Sequence, residues 1–341
     1  MLKILIRATN WVGDAVMSLP AVRAIRAHFH DSEIAVLARP WVADLYARET
    51  SIDRVIPYEA SPGFHDLHAK WAAAARLRAE RFDIAVLLQN AFEAAAVARL
   101  ARIPRIIGYK RDGRRWLLTD PIATPRHGEI PRHERFYYLE LLRRAGILQE
   151  LPKEEAIRLE GSHEAGKAGT RRFADLGIAA PVIGVSPGAA YGNAKRWLPE
   201  RFAETAEQVA RANGASVALF GSRAERALCE SVRAQIAVPA HNLAGETTLR
   251  EFIELAAACR LFLTNDSGAM HIASALGVPT VAVFGATDDV ATGPTGSNSR
   301  IVREPVECSP CLLRECPIDH RCMTRVSASR VIEVSLDLIA R

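Results

Sequence analysis

The strongest constraint on this chain is a rhythm that runs twice: short β-branched apolar runs alternating with stretches of helix length. In the first half the runs are LKILIR (2–7), EIAVLA (33–38), RVIPY (54–58), DIAVLLQ (83–89) and RIIGY (105–109). The series restarts with VIGVSPG (182–188), SVALFG (216–221), RLFLTND (260–266) and TVAVFG (280–285), with helices expected at 199–212, 223–236 and 248–258. Strand–helix alternation of this kind predicts parallel, doubly wound sheets. The expected fold class is α/β, with two Rossmann-like doubly wound domains facing a central cleft. In open sheets of this kind ligands bind beyond the carboxyl ends of the strands, so chemistry is expected in the β-α turns.

Between the two series the pattern breaks into Pro, Gly, Arg and His from Gly113 to Arg132. A helix is expected to resume at HERFYYLELLRRAG, with Gly146 as its cap. Residues 150–181 read as one helix in a polar link. The expected domains are 1–178, 179–325, and a C-terminal amphipathic helix at 326–341 that packs back on one of the two domains, the N-terminal one being the expected choice. With 341 residues, 49% of them hydrophobic, the chain can bury two cores. It has no run of about 18 apolar residues, and MLKILIRATN lacks the long apolar stretch and cleavage site of a signal peptide, so a cytoplasmic location is expected.

Charge is distributed unevenly. Residues 1–178 carry 28 Lys and Arg against 22 Asp and Glu, whereas the remainder carries 16 against 17. An acidic partner for the first half follows, whether a phosphorylated ligand, a membrane surface or nucleic acid; a solvated basic surface is the plainer alternative. The chain lacks a recognisable nucleic-acid-binding motif. Of six cysteines, Cys229 and Cys259 fall in helical patterns and read as buried apolar residues. Cys308, Cys311, Cys316 and Cys322 cluster in CSPCLLRECPIDHRC, a spacing open to a metal or redox role or to a loop of free thiols.

The β-α turns hold the candidate chemistry. In the first, NWVGDAVMS has one glycine, Gly13, where a dinucleotide fingerprint wants three, and a carboxylate, Asp14, beside it. That speaks against a nicotinamide-dependent oxidoreductase. In SPGAAYGNAKRW, Gly188 and Gly192 allow close backbone approach, and Lys195 is placed to grip a phosphate. In FGSRAE, Glu225 reads either as a hydroxyl ligand or as a helix-start carboxylate. Thr247 and Thr248 precede a helix, where capping is the simple reading. The richest turn is TNDSGAMHIASALG: Asp266, Ser267 and Gly268 occupy a strand-to-helix corner whose N–H groups suit a diphosphate, and His271 follows within a turn.

Taken together, RATNWVGDAVMSLPAVRAI, RHERFYYLELL, PGAAYGNAKRWLPERF, NDSGAMHIASALGVPTVAVFGATD and CSPCLLRECPIDHRCM resemble the ADP-heptose:lipopolysaccharide heptosyltransferases, from Ile4 to about Met323. TNWVGD is closer to the heptosyltransferase II branch than to the I branch. The resemblance implies an inverting GT-B glycosyltransferase that needs no metal or other cofactor. Its acceptor would sit on the N-terminal domain and the donor, ADP-heptose, on the C-terminal one. It implies Asp14 as catalytic base, Lys195 on the diphosphate, and Asp266, Ser267, Gly268 and His271 as the donor-binding turn, with Glu225 and Thr247 near the nucleoside. The acceptor implied is a Kdo-lipid A heptose, strongly anionic and membrane-anchored. Lys110, Arg111, Arg114 and Arg115 are the expected acceptor ligands, and peripheral contact with the inner membrane is expected, with no nucleic acid. Another GT-B enzyme and a noncatalytic sugar- or nucleotide-binding protein are the alternatives.

Overall fold

A computed structural model describes residues 1–61, 66–153 and 155–340. The chain divides into two units, Met1–Glu155 and Ala156–Arg341. The first runs β1 (Lys3–Arg7), α1 (Val12–His28), β2 (Glu33–Ala38), α2 (Pro40–Tyr46), β3 (Arg54–Pro57), α3 (Leu67–Glu80), β4 (Ile84–Leu87), α4 (Phe92–Leu100), β5 (Arg105–Tyr109), β6 (Asp120–Ile122) and α5 (Arg135–Arg144). Its sheet is all parallel in the order β3-β2-β1-β4-β5-β6. Leu5, Ala35, Leu37, Ala85 and Leu87 meet Ala74 and Leu77 of α3 and Ala95 and Ala98 of α4 in one apolar cluster. Helices α1 and α5 pack together. Right-handed crossovers force this split of helices between the two faces once the strand order reverses at β1.

The second unit runs α6 (Ser162–Asp175), β7 (Val182–Ser186), α7 (Pro199–Asn213), β8 (Ser216–Leu219), α8 (Arg226–Arg233), β9 (Ala240–Asn242), α9 (Leu249–Ala257), β10 (Leu261–Asn265) and α10 (Gly268–Ala275), then β11 (Thr280–Val283), α11 (Asp289–Thr292), β12 (Ser299–Val302), α12 (Arg321–Thr324) and α13 (Ala328–Ala340). Its parallel sheet repeats the topology of the first, in the order β12-β11-β10-β7-β8-β9.

Two expectations change. The boundary lies at Glu155/Ala156 rather than 178/179, because α6 belongs to the second unit. It packs along α9, and the Arg172 guanidinium donates to Glu254 at 2.6 Å and Glu251 at 3.1 Å. The strand of chain before α6 is tied down there too, with Leu159 N donating to Ala275 O and Ile157 N to Thr295 Oγ1. The C-terminal helix α13 also belongs to the second unit. It lies on α7, β11 and β12, and its Val331 and Leu338 complete that unit's core. Both are governed by the same physics: an amphipathic helix goes wherever its apolar stripe is covered.

Candidate functional site

Each sheet has one place where the strand order reverses, between β1 and β4 in the first unit and between β7 and β10 in the second. There the helices leave for opposite faces and a crevice opens at the strands' carboxyl ends.

In the second unit that crevice is built around two neighbours at the end of β10. Asn265 is fully buried; its Nδ2 donates to Pro187 O at 2.7 Å and its Oδ1 accepts from Trp197 N at 2.9 Å, so one side chain pins both ends of the loop after β7. The loop's middle thereby brings Lys195 over Asp266. Lys195 Nζ donates to Asp266 Oδ2 at 2.6 Å, and Thr287 Oγ1 donates to the same oxygen at 2.6 Å. The ammonium also stands 4.9 Å from the Tyr191 ring. Ser267 caps α10, accepting from Met270 N at 3.4 Å and bonding Thr264 Oγ1 at 3.1 Å. Gly268 opens the helix, and His271 is buried one turn on. A cation and the partial positive charge of a helix start therefore share one spot, the arrangement that holds a phosphate.

The two glycines of the Lys195 loop are there for close approach. A Cβ at Gly188 would overlap the Glu225 carboxylate, and one at Gly192 would overlap the Arg314 carbonyl. Glu225 closes a capping box, accepting from Ser222 N and Ser222 Oγ at 2.8 Å each, and lies 3.9 Å from Arg196. Thr248, not Thr247, caps α9 with Glu251, which leaves Thr247 half-buried just outside the cap. The four-cysteine segment packs on this same loop: Tyr191 OH donates to Leu312 O at 2.9 Å, Ala194 N to Arg314 O at 3.0 Å, and His320 Nε2 bonds Ala194 O at 3.1 Å. All six cysteines are free thiols; burial pushes Cys229 up to about 12 and Cys322 up to about 11. Among the described residues no group of three or more His, Cys, Asp or Glu is arranged to hold a metal ion.

The first unit's crevice carries different charges. Asp14 lies half-buried in the first turn of α1. It acts on Glu134, at the start of α5, whose carboxyl is raised by burial and then by the Asp14 charge, with Arg111 opposing. Burial and the same aspartate push buried Tyr138 up as well. Glu134 went unrecognised in the sequence; its one signal there was its place in RHERFYYLELL. At the ends of β1 and β2, Arg7 and Arg39 are buried and both stack on Tyr58, at 4.7 and 4.6 Å. Arg39 pairs with Glu93 at 3.2 Å; Arg7 donates to the carbonyls of Ala8 and Leu37, and burial brings its guanidinium down to about 10.

Of the four cations expected to meet an acceptor, Lys110, Arg111 and Arg115 are exposed on the loop after β5. Arg114 is not. It is fully buried, donating to Tyr109 O at 2.9 Å, to Asn90 Oδ1 at 3.0 Å and to Gln89 O, and burial lowers it to about 10. Its guanidinium joins the β5 turn to the β4 turn, so the expected acceptor contact is corrected to a structural one.

Two Rossmann-like units of identical topology in one chain, with a phosphate-type cradle at the switch point of the second, have the architecture of the GT-B fold and suit a ligand carrying a diphosphate. A family model, glycosyltransferase family 9 (heptosyltransferase), matches residues 70–321. Lipopolysaccharide heptosyltransferase 2 of Escherichia coli (strain K12) is 33% identical over 309 residues, covering 89% of this chain and 88% of that protein. Lipooligosaccharide heptosyltransferase 2 of Haemophilus ducreyi is 32% identical with the same coverage. The solved structure of E. coli ADP-heptose lps heptosyltransferase II superposes with a TM-score of 0.84 at 30% identity, covering 99% of both chains. A family 9 glycosyl transferase from Veillonella parvula shares the fold, with a TM-score of 0.84 at 21% identity. The chain belongs to glycosyltransferase family 9.

Proposed function

We propose that this enzyme moves a heptose from ADP-heptose to the first heptose of a lipopolysaccharide inner core, with inversion at the anomeric carbon. The observation that carries the reading is the opposite chemistry of the two switch points in a chain of this family: a carboxylate at Asp14, and an ammonium at a helix start at Lys195 and α10. In this reading the acceptor hydroxyl passes its proton to Asp14 as its oxygen bonds the anomeric carbon. The bond from that carbon to the β-phosphate oxygen breaks, and ADP leaves with the electron pair. Charge growing on the diphosphate is met by Lys195 and the N–H groups at Ser267 and Gly268, donors fixed before the reaction begins.

Asp266 then has two tasks. Paired with Lys195, it stores the ammonium at the helix start; when a diphosphate draws Lys195 away, its carboxylate, still held by Thr287, is available to donor hydroxyls. His271, Glu225 and Thr247 line the donor side. Lys110, Arg111 and Arg115 receive the anionic acceptor, Arg114 shaping the loop that bears them. The enzyme would work against the cytoplasmic face of the inner membrane; among the described residues no helix is long and apolar enough to cross a membrane. The test is ADP release and intact-mass analysis with ADP-heptose and a Kdo-lipid A acceptor bearing one heptose, with UDP- and GDP-sugars as controls. A gain of one heptose is expected. No gain, or gain only on the acceptor lacking heptose, overturns the assignment.

A further inference from the structure

The tryptophans are divided as sharply as the charge. Trp11, Trp41, Trp71 and Trp116 lie in the first unit and each is more than half exposed, whereas Trp197 in the second is 1% exposed. Trp41 and Trp11 belong to the edge around Asp14, for the Trp41 indole donates to Asn10 O at 2.8 Å. Trp71 and Trp116 are different: they stand on the outside of one layer. Helices α3 and α4 and the 3-10 turn Arg115–Leu117 cover the same face of the sheet, joined through Ala74, Leu77, Ala95, Ala98 and Leu117 in a single cluster. The Trp116 ring lies 6.0 Å from that of Phe92 on α4.

On the outer side of this layer Trp71 is 67% exposed, Trp116 72% and Leu67 61%. Leu67, His68, Trp71, Ala72 and Ala75 line a shallow apolar depression along one face of α3. Arginines accompany the indoles: Arg76 and Arg78 on α3, Arg99 on α4 and Arg115 beside Trp116 are all exposed. The one acid within α3, Glu80, is bonded to Arg54. Helix α3 starts after the carboxyl end of β3 and the 3-10 turn after that of β5, so Leu67, Trp71 and Trp116 sit toward the same end of the sheet as Asp14.

We propose that the outer layer of α3, α4 and the Arg115–Leu117 turn docks on an anionic lipid bilayer, Trp71 and Trp116 entering the headgroup region. Indoles belong at that depth because they bring a large apolar ring and a polar N–H together, and arginines beside them meet lipid phosphates. A second copy of the chain fits the patch poorly, since a two-fold contact would set arginines against arginines. This deepens the proposed function, resting on its lipid-anchored acceptor, but the binding itself needs no transfer.

The experiment is co-sedimentation of the full chain with vesicles of phosphatidylcholine alone or with about one quarter phosphatidylglycerol, at low and high salt. Wild type is expected to bind the anionic vesicles at low salt, W71S/W116S to bind at least about tenfold more weakly, and R76E/R78E to lose most of the dependence on anionic lipid. Both variants should keep transfer to a delipidated, soluble acceptor. Quenching of wild-type indole emission by brominated lipid gives a readout free of any folding defect in the variants. Absence of wild-type binding, or equal binding by wild type and both variants, overturns the proposal. So does self-association that W71S/W116S abolishes without any vesicle binding. Vesicle binding without transfer on any acceptor leaves the docking supported and counts against the proposed reaction alone.

Discussion

The two switch points are built on the same strand order and do opposite things with charge. At β1/β4, Arg7 and Arg114 spend their donors on backbone carbonyls and amides, while the carboxylates Asp14 and Glu134 influence each other near the opening. At β7/β10 the buried polar anchor is neutral Asn265, and the charge at the opening is an ammonium beside a helix start. Topology thus decides where chemistry occurs and the side chains decide which, as expected when function is grafted on a fold. Under the proposed division of labour one glycine suffices after β1, because a turn given over to an acceptor hydroxyl has no pyrophosphate to cradle.

The contrast breaks most visibly at Asp14. Asp14→Ala is expected to lower kcat by roughly 10²–10⁴ while calorimetry finds ADP affinity unchanged; a parallel loss of ADP binding would falsify the division of labour. Next is Lys195→Ala, expected to lower turnover by about 10²–10³ and to weaken ADP binding with it, read by the same calorimetry. If acceptor KM moved instead, Lys195 would belong to the other substrate.

Smaller effects sharpen the comparison within the first unit. Arg114→Ala strands buried carbonyls and should cost roughly 2–4 kcal/mol in urea unfolding. Lys110→Ala and Arg111→Ala should stay within about 0.5 kcal/mol and raise acceptor KM in a salt-dependent way. A surface role for Arg114 would reverse that order. The smallest effect concerns Glu134, whose carboxyl is raised in the fold by burial and by Asp14. A group with a raised folded pKa favours the fold at low pH and loses that contribution as pH rises. Glu134→Gln should therefore raise Tm at pH 7.5, and the gain should shrink as pH falls through the raised folded value and be gone below the ordinary carboxylate range.

The central strands were easy to see in the sequence because they are buried on both faces. VIGVS at 182–186 and LFLTN at 261–265 are buried at every position, so they read as unbroken runs. Strands β6, β9 and β12 were not anticipated. They lie at or next to the sheet edges, have three or four residues, and are mostly half-buried; β6 even contains Pro121, which an edge position tolerates. The candidate residues stood out at β-α turns, Asp14 and Asp266 as carboxylates at the end of apolar runs and Lys195 as a cation in a loop with two glycines. Arg114 did not differ from Arg115 in sequence, and only the packing of the β4 and β5 turns separates a buried staple from a solvated cation.

Local pattern was enough for the class of fold, the strands of both sheets' centres and the turns that carry chemistry, because strand period and turn residues act over a few positions. Nothing local could pair Lys195 with Asp266, 71 residues away, or bring Glu134 under the influence of Asp14. Nor could it send α6 and α13 to the second unit. Those outcomes depend on which strands become neighbours and which apolar stripes find cover, and both are settled only when the chain closes on itself.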